Sequence, residues 1–386
     1  MNNSSGYPSQ EQKTYLKDVD RLLLSRAIAD TVHAVWLRNP QNYALSYRNV
    51  GGPIESGVIN LHAETEQQYS PAIATEGNSV YIVWSARVRP GHPGDESIRT
   101  LFRRSTNDGS TFDATYVINP YAGQGQWHQP SIAAGANNVY VVWSDSADTE
   151  PMIGVKRSTD RGTTFELLWR SLSEHPTHDQ TSAIPQIATT GSNVYVAWRD
   201  YLPPHTVLIL YRRSVNHGTT YEPTTVLSTI TPAGYNWPTI AATGSNVYVV
   251  WDAGRDIYLR RSTDGGRTFG ATNLVHIGAG LRSGPKVAAL GNTVYLAWFN
   301  FNQIYYRRSL DGGNSFEPAR IVVNGTNPWD MEIAITASNL FIVWTERTGD
   351  HSILVKSSVD DFSRTTNLSS ITGLGGAFPA IATTAT

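Results

Sequence analysis

One phrase recurs seven times along the chain: a run of β-branched and aromatic residues that ends in Trp. Its copies close at Trp36, Trp84, Trp143, Trp198, Trp251, Trp298 and Trp344, with spacings of 48, 59, 55, 53, 47 and 46 residues. A period of about 50 residues accommodates one four-stranded sheet per repeat and is too long for most solenoids. The length of 386 residues would otherwise fit two or three domains. The unbroken repeat instead predicts one body, because a unit of this size buries its apolar faces only by stacking on its neighbours.

Two further phrases keep the same period. Ahead of each Trp strand stands Pro-x-Ile-Ala, at Pro71, Pro130, Pro185 and Pro238, varied as Pro285-Lys286-Val287-Ala288 and Met331-Glu332-Ile333-Ala334. The seventh copy, Pro379-Ala380-Ile381-Ala382, lies at the C-terminal end. Gly, Ser and Asn between the two phrases tolerate the positive φ of a tight hairpin. Behind the Trp comes Ser-x-(Asp/Asn)-x-Gly-x-(Ser/Thr)-aromatic, at Ser105–Phe112, Ser158–Phe165, Ser214–Tyr221, Ser262–Phe269 and Ser309–Phe316. The short polar third residue can accept hydrogen bonds from the turn's own N–H groups. The Gly supplies a left-handed φ, and the aromatic can fold back between neighbouring sheets. The copy at Ser358 has Phe362 in place of Gly, and the segment after Tyr47 has no copy.

Each full unit therefore reads as strand A (Pro-x-Ile-Ala), strand B (ending in Trp), strand C (ending near Arg-Ser) and a short apolar strand D. The first unit lacks strand A, and the last has only strand A. Together they complete one blade, which removes an open sheet edge. The expected fold is all-β: a seven-bladed β-propeller of four-stranded antiparallel blades, closed by the N-terminal strands plus the C-terminal inner strand. Residues 28–386 form this single domain, and residues 1–27 are a polar N-terminal extension, partly disordered. Within it Leu16, Val19 and Leu23 have the spacing of a short helix, with an extended strap as the alternative.

The Ser-x-Asp-x-Gly turn is the Asp-box motif, and through it the chain resembles the sialidase superfamily over roughly residues 31 to 386. The resemblance implies a propeller whose boxes lie away from the active site, and it extends to lectin-like and scaffold propellers. It also implies a secreted or cell-surface setting. Sialidase chemistry, as the resemblance implies it, uses three Arg on a carboxylate, a Tyr nucleophile activated by Glu, and an Asp acid/base. The family's first Arg lies in Arg-Ile-Pro just ahead of an inner strand. Two residues before the inner-strand Pro this chain has Tyr69, His128, Ala183, Asn236, Ser283 and Ala377, none of them Arg. Arg282 stands one residue further out, so the catalytic set is not carried over.

The net charge of −2 argues against nucleic acid as a partner. The absence of Cys excludes disulfides and thiolate chemistry. Met1 to Gln12 is polar, so no signal peptide is expected there. Leu22 to Leu24 is too short to span a membrane. No cofactor and no metal are expected; His175, His178 and Asp179 have ligand-like spacing, but a solvated loop is the simpler reading.

Connectivity puts the D-to-A and B-to-C loops on one face, and these vary where the opposite turns are uniform. Binding is expected there, for a carbohydrate or another polar small molecule. The candidate ligand contacts are Trp127, His128, Arg199, Tyr235, Trp237, Arg282, Trp329, Glu346 and Arg347. The candidate catalytic residues are Glu332, Asp200, Asp252 and Tyr235. Rings suit apolar sugar faces, and ions suit hydroxyls and acids. The arc runs over the blades opened by Pro185, Pro238, Pro285 and Met331. Set against this, the strand-B Trp residues read as core, and Arg104, Arg213 and Arg308 as edge charges or turn partners. Glu332 reads equally as an ion-pair partner of Lys286. Two functions stay open: a non-catalytic recognition propeller, or an exo-acting glycoside hydrolase or polysaccharide lyase.

Overall fold

The computed structural model describes residues 31–38, 45–50, 59–62, 67–88, 97–120, 129–145, 152–173, 183–202, 206–230, 236–278, 284–325, 327–346, 351–369 and 376–384. The N-terminal extension, residues 1–27, lies outside these. The described residues form seven antiparallel sheets of four strands each. In blade 1 the inner strand Gly376–Thr384 pairs with Thr31–Arg38, which continues to Leu45–Val50 and Ile59–His62. Val32 faces Thr383 and Ala34 faces Ile381 across that joint, as the two incomplete ends of the repeat require. Blades 2 to 7 follow in chain order, each laid out A to D from the channel outward. Their inner strands begin at Gln67, Ser131, Gln186, Thr239, Lys286 and Pro328. The outer strands of blades 5 and 6 are Asn273–His276 and Arg320–Asn324.

Seven apolar clusters lie one at each interface between neighbouring blades. Every strand-B Trp sits in the cluster shared with the preceding blade, and none is more than 1% exposed. Burying a side chain of this kind stabilises by about 2–3 kcal/mol, so the repeated Trp is the ring's main mortar.

The five Ser-x-(Asp/Asn)-x-Gly turns share one hydrogen-bond scheme. The Ser Oγ accepts the Gly N–H at 2.8–2.9 Å and donates to the Asp or Asn Oδ1. That oxygen also accepts the N–H of the Thr or Ser four residues on. Where the residue is Asp, the hydroxyl donates to Oδ2 at 2.6 Å; where it is Asn, Nδ2 donates to the hydroxyl at 2.8 Å.

Strand C adds charged links between blades. The cation two residues before the turn Ser reaches back to an outer carbonyl of the preceding blade. Lys156 donates to Ile118 O at 3.0 Å, Arg212 to Leu172 O at 2.7 Å and Arg260 to Leu227 O at 2.8 Å. The next residue reaches forward to the following blade's turn, as Arg104 does to Thr163 Oγ1 at 2.6 Å and Arg213 to Gly265 O at 2.8 Å. Arg104, Arg157, Arg213 and Arg308 also pair with an acidic residue behind their own turn. The strand-C arginines are thus turn partners.

The interface between blades 7 and 1 differs. At four other interfaces a turn aromatic packs edge-on or tilted against a ring of the preceding blade, as Phe112 does on Tyr47 at 4.8 Å and Phe269 on Tyr211 at 4.9 Å. In blade 1, Val50 faces Val32 where Ser105 faces Val80 in blade 2, so the turn's anchoring hydroxyl is missing. A small apolar crevice lies there, lined by Val32, Ala34, Val50, Phe341, Val355 and Leu368. Across the next interface His33 takes the place of the repeated Tyr. It is fully buried, with Nδ1 2.7 Å from Tyr47 Oη and Nε2 3.3 Å from Asp108 Oδ1.

The turn carboxylates are expected to make the ring acid-sensitive. Partial burial raises the Asp160 pKa, but hydrogen bonds from Thr164, Ser158 and Thr163 override this and bring it to about 2. Asp264 and Asp311 are held well below the ordinary range, chiefly by the hydroxyls of Thr268 and Ser315. The folded chain therefore binds these protons more weakly than the unfolded chain. Their stabilisation is complete above the ordinary value of 3.8 and is lost as pH falls through the folded values. Replacing all three by Asn, which already serves at Asn107 and Asn216, is expected to flatten the loss of stability between pH of about 4 and 2. Urea unfolding across that range measures it; an unchanged slope would place the acid sensitivity elsewhere.

Candidate functional site: the channel mouth

Strand A leaves the D-to-A side, so that face carries every loop that opens an inner strand. The chain kinks there repeatedly. Ser70, Ile184, Asp330 and Phe378 stand immediately before Pro71, Pro185, Met331 and Pro379 and have φ of 45°, 36°, 45° and 51°. Asn236, two residues before Pro238, has φ of 54°. A left-handed residue other than glycine costs about 1–2 kcal/mol. Such strain concentrates where side chains must be aimed. Three of the kinks coincide with register shifts between strands A and B, in blades 1, 2 and 7.

Blades 5 and 7 show what the kinks and the carboxylates do together. Asp252, one residue beyond Trp251, is fully buried. Its Oδ1 accepts the backbone N–H of Trp237 at 3.2 Å. Glu346, two residues beyond Trp344, is also buried; Oε1 accepts the N–H of Asn327 and Oε2 the indole N–H of Trp344, each at 3.1 Å. Glu346 lies opposite Pro328, beside Trp329. In both blades a carboxylate at the end of strand B pins the segment that carries a half-exposed Trp at or just before the start of strand A. A buried carboxylate is tolerated because it accepts such hydrogen bonds.

Arg199 and Asp200 are neighbours on strand B of blade 4 and face Ile209 and Leu208 of strand C. Asp200 is buried and Arg199 half-buried; the Arg199 N–H donates to Ala183 O at 3.1 Å. Glu332 is paired with Lys286 of the adjacent inner strand, joining blades 6 and 7. Of the remaining candidates, Trp127, His128, Tyr235, Arg282 and Arg347 lie outside the described residues, as do His175, His178 and Asp179. Among the described residues no three His, Asp or Glu side chains cluster as a metal site, and no helix is long and apolar enough to cross a membrane.

The half-exposed Glu332–Lys286 pair belongs to a class that contributes about 0–1 kcal/mol. Glu332→Gln is therefore expected to lower the melting temperature by at most a few degrees and leave ligand affinity unchanged. Thermal melts alongside a binding titration measure both; a tenfold loss of affinity at constant melting temperature would put Glu332 in the site.

One residue that sequence reading did not single out also stands on this face. Phe301, at the B-to-C hairpin of blade 6, is 75% exposed and has φ of 54°. The corresponding hairpin of blade 5 uses Gly254, and that substitution in an otherwise parallel unit is the signal that would have found it.

No family model matches the chain, and no curated protein sequence matches it. Solved structures do. A Hadza microbial sialidase, Hz136, superposes with a TM-score of 0.51 at 15% identity over 80% of this chain and 72% of its own. The Trypanosoma rangeli sialidase in complex with 2,3-difluorosialic acid gives 0.50 at 12% identity over 86% of this chain. The match spans 59% of that sialidase's length. At these identities the likeness is one of fold: the chain is a seven-bladed propeller of sialidase-like architecture.

Proposed function

We propose that this chain is a non-catalytic, sialidase-like Asp-box propeller that recognises a glycan at the channel mouth through tryptophans on pinned backbone. The observation that carries the proposal is the use made of the carboxylates. Asp252 and Glu346 hold the backbone beside Trp237 and Trp329, and Glu332 is engaged by Lys286. Two residues read from the sequence as an acid or base and a ligand contact thereby hold the backbone that carries the tryptophans, and a third is held in an ion pair. Indoles carried on backbone held in this way suit the apolar face of a sugar, because little loop entropy remains to be lost on binding.

Two further features support the reading. The five turns carry the residue pattern of the Asp-box and share one hydrogen-bond scheme. In blade 4 the sequence Ala183-Ile184-Pro185 keeps the Ile-Pro of the family's Arg-Ile-Pro but has a buried Ala in place of the Arg.

The test begins with a printed array of neutral and sialylated oligosaccharides, followed by titration of the strongest binder. Trp237→Ala and Trp329→Ala are each expected to weaken binding about tenfold, the loss of about 1.4 kcal/mol of stacking. Asp252→Asn keeps the accepting Oδ1 and is expected to bind within twofold of the unchanged chain. Turnover of a chromogenic glycoside that disappears in Asp252→Asn would establish the hydrolase instead.

A further inference from the structure

We infer that the outer wall of blades 2 and 3 is the contact face of a two-fold homodimer, centred on Leu167, Leu168 and Trp169. The inference does not depend on what the mouth binds. It begins where blade 3 departs from the repeat. In blades 2, 4 and 5 six residues lead from the turn aromatic to the outer-strand residue whose carbonyl receives the next blade's cation: Phe112 to Ile118, Tyr221 to Leu227 and Phe269 to Val275. In blade 3 seven lead from Phe165 to Leu172. The longer segment carries Leu167-Leu168-Trp169, and its two leucines are 91% and 77% exposed. A second departure accommodates the first. Opposite the strand-B Trp, blades 2, 4, 5, 6 and 7 have Leu or Tyr, as Leu101 faces Trp84 and Tyr258 faces Trp251. Blade 3 has Gly154 there, where a Cβ would lie 2.6 Å from Trp143 Cε2. In place of that side chain Trp169 packs against Trp143, edge to face at 6.0 Å.

The indole thus anchors the segment and leaves both leucines in solvent. Tyr116 and Val117 of the neighbouring outer strand are also more than a third exposed, and Tyr116 meets Phe165 at 5.4 Å. The apolar surface therefore runs across both blades. Single exposed apolar side chains are ordinary, but a contiguous patch marks an interaction site. Size, charge and place together point to a second copy as its cover. Five side chains so exposed offer on the order of 500 Å² of apolar surface. A standard homodimer interface needs that much, about two-thirds of roughly 800 Å² per partner. The charges next to the leucines are already engaged within the chain: Glu166 Oε1 holds Arg157 Nη2 at 2.7 Å and Arg170 Nη2 at 3.0 Å. A two-fold contact sets one patch against itself, and this pairing removes the repulsion that free like charges would bring. The patch lies at the turn end of the wall, away from the mouth, so the dimer presents two open channels. Two mouths on one particle raise the avidity for a ligand that repeats.

Sedimentation velocity of the full chain over a range of concentrations is expected to show a dimer. The double variant Leu167→Asp, Leu168→Asp is expected to sediment as a monomer, with the dissociation constant raised at least about a hundredfold. Its circular dichroism spectrum is expected to be unchanged, because neither leucine belongs to the core. Leu274→Asp places the same charge on the half-exposed outer strand of blade 5 and is expected to leave the dimer intact. A full chain that stays monomeric would overturn the inference. So would a dimer that survives in the double variant or is lost equally in Leu274→Asp. A monomer that floats with neutral phosphatidylcholine vesicles, and no longer does so in the double variant, would also overturn it and assign the patch to a lipid surface.

Discussion

A chain ending at Gly375 is expected to lose its cooperative unfolding transition at ordinary temperature. The missing segment supplies the inner strand of blade 1, seven register pairs to Thr31–Arg38. It also supplies links to both flanking blades: Thr75 Oγ1 donates to Thr383 O, and Thr383 Oγ1 to Ile335 O, each at 2.9 Å. Net contributions of about 1 kcal/mol per hydrogen bond, with the apolar cover of Ile381 and Ala380 added, approach the roughly 5–15 kcal/mol that keeps a domain folded. The truncation also leaves Thr31–Arg38 as an open edge and breaks the ring. Thermal unfolding by circular dichroism measures the loss. A synthetic peptide of residues 376–386 is expected to restore part of the transition by adding the strand back. A truncated chain that melts like the full one would mean that the ring does not depend on this closure.

The second large effect is at a turn. Gly266 has φ of 77°, and a methyl group there would lie 2.0 Å from Tyr211 Oη and 3.0 Å from Tyr195 Cε1. Gly266→Ala thus combines left-handed strain of about 1–2 kcal/mol with overpacking of about 1–3 kcal/mol. Tyr211 is buried and its hydroxyl donates to Gly266 O at 3.3 Å, so it has little room to withdraw. A loss of about 2–5 kcal/mol is expected in urea unfolding. Tyr211→Phe removes the clashing oxygen, and the double variant is expected to be less destabilised than the sum of the two singles. Strict additivity would mean that the ring does not meet the new methyl.

The fold was legible because each of its determinants repeats. Trp, Pro-x-Ile-Ala and the Ser-x-Asp-x-Gly turn fix strand type, strand order and blade count, and the two partial units at the ends imply their own joint. Repetition likewise explains why the strand-C arginines read correctly as turn partners. The site was legible only in outline. Its face follows from connectivity, but what each side chain does there depends on single, unrepeated contacts. Asp252 and Glu346 stand one and two residues past their Trp, which marks them as loop charges in sequence. Only the hairpin's closure onto strand A shows that each accepts a backbone N–H from the segment bearing Trp237 or Trp329. Glu332 shows the opposite case, since an acid one residue past the Met331 position and Lys286 at the matching place on the preceding inner strand already suggested each other. Phe301 escaped notice because it is marked only by comparison with Gly254 at the same hairpin position one blade away. His33 was hidden because its partners Tyr47 and Asp108 come from a different strand and a different blade.

The most direct test of the mouth as a recognition site is to follow the strongest array oligosaccharide through binding and recovery. Saturable binding that weakens about tenfold in both Trp237→Ala and Trp329→Ala, with the sugar recovered intact by mass after prolonged incubation, is the expected result. Recovery of a shortened or unsaturated sugar, with cleavage abolished by Asp252→Asn or Glu332→Gln, would contradict it and make the chain a carbohydrate-cleaving enzyme.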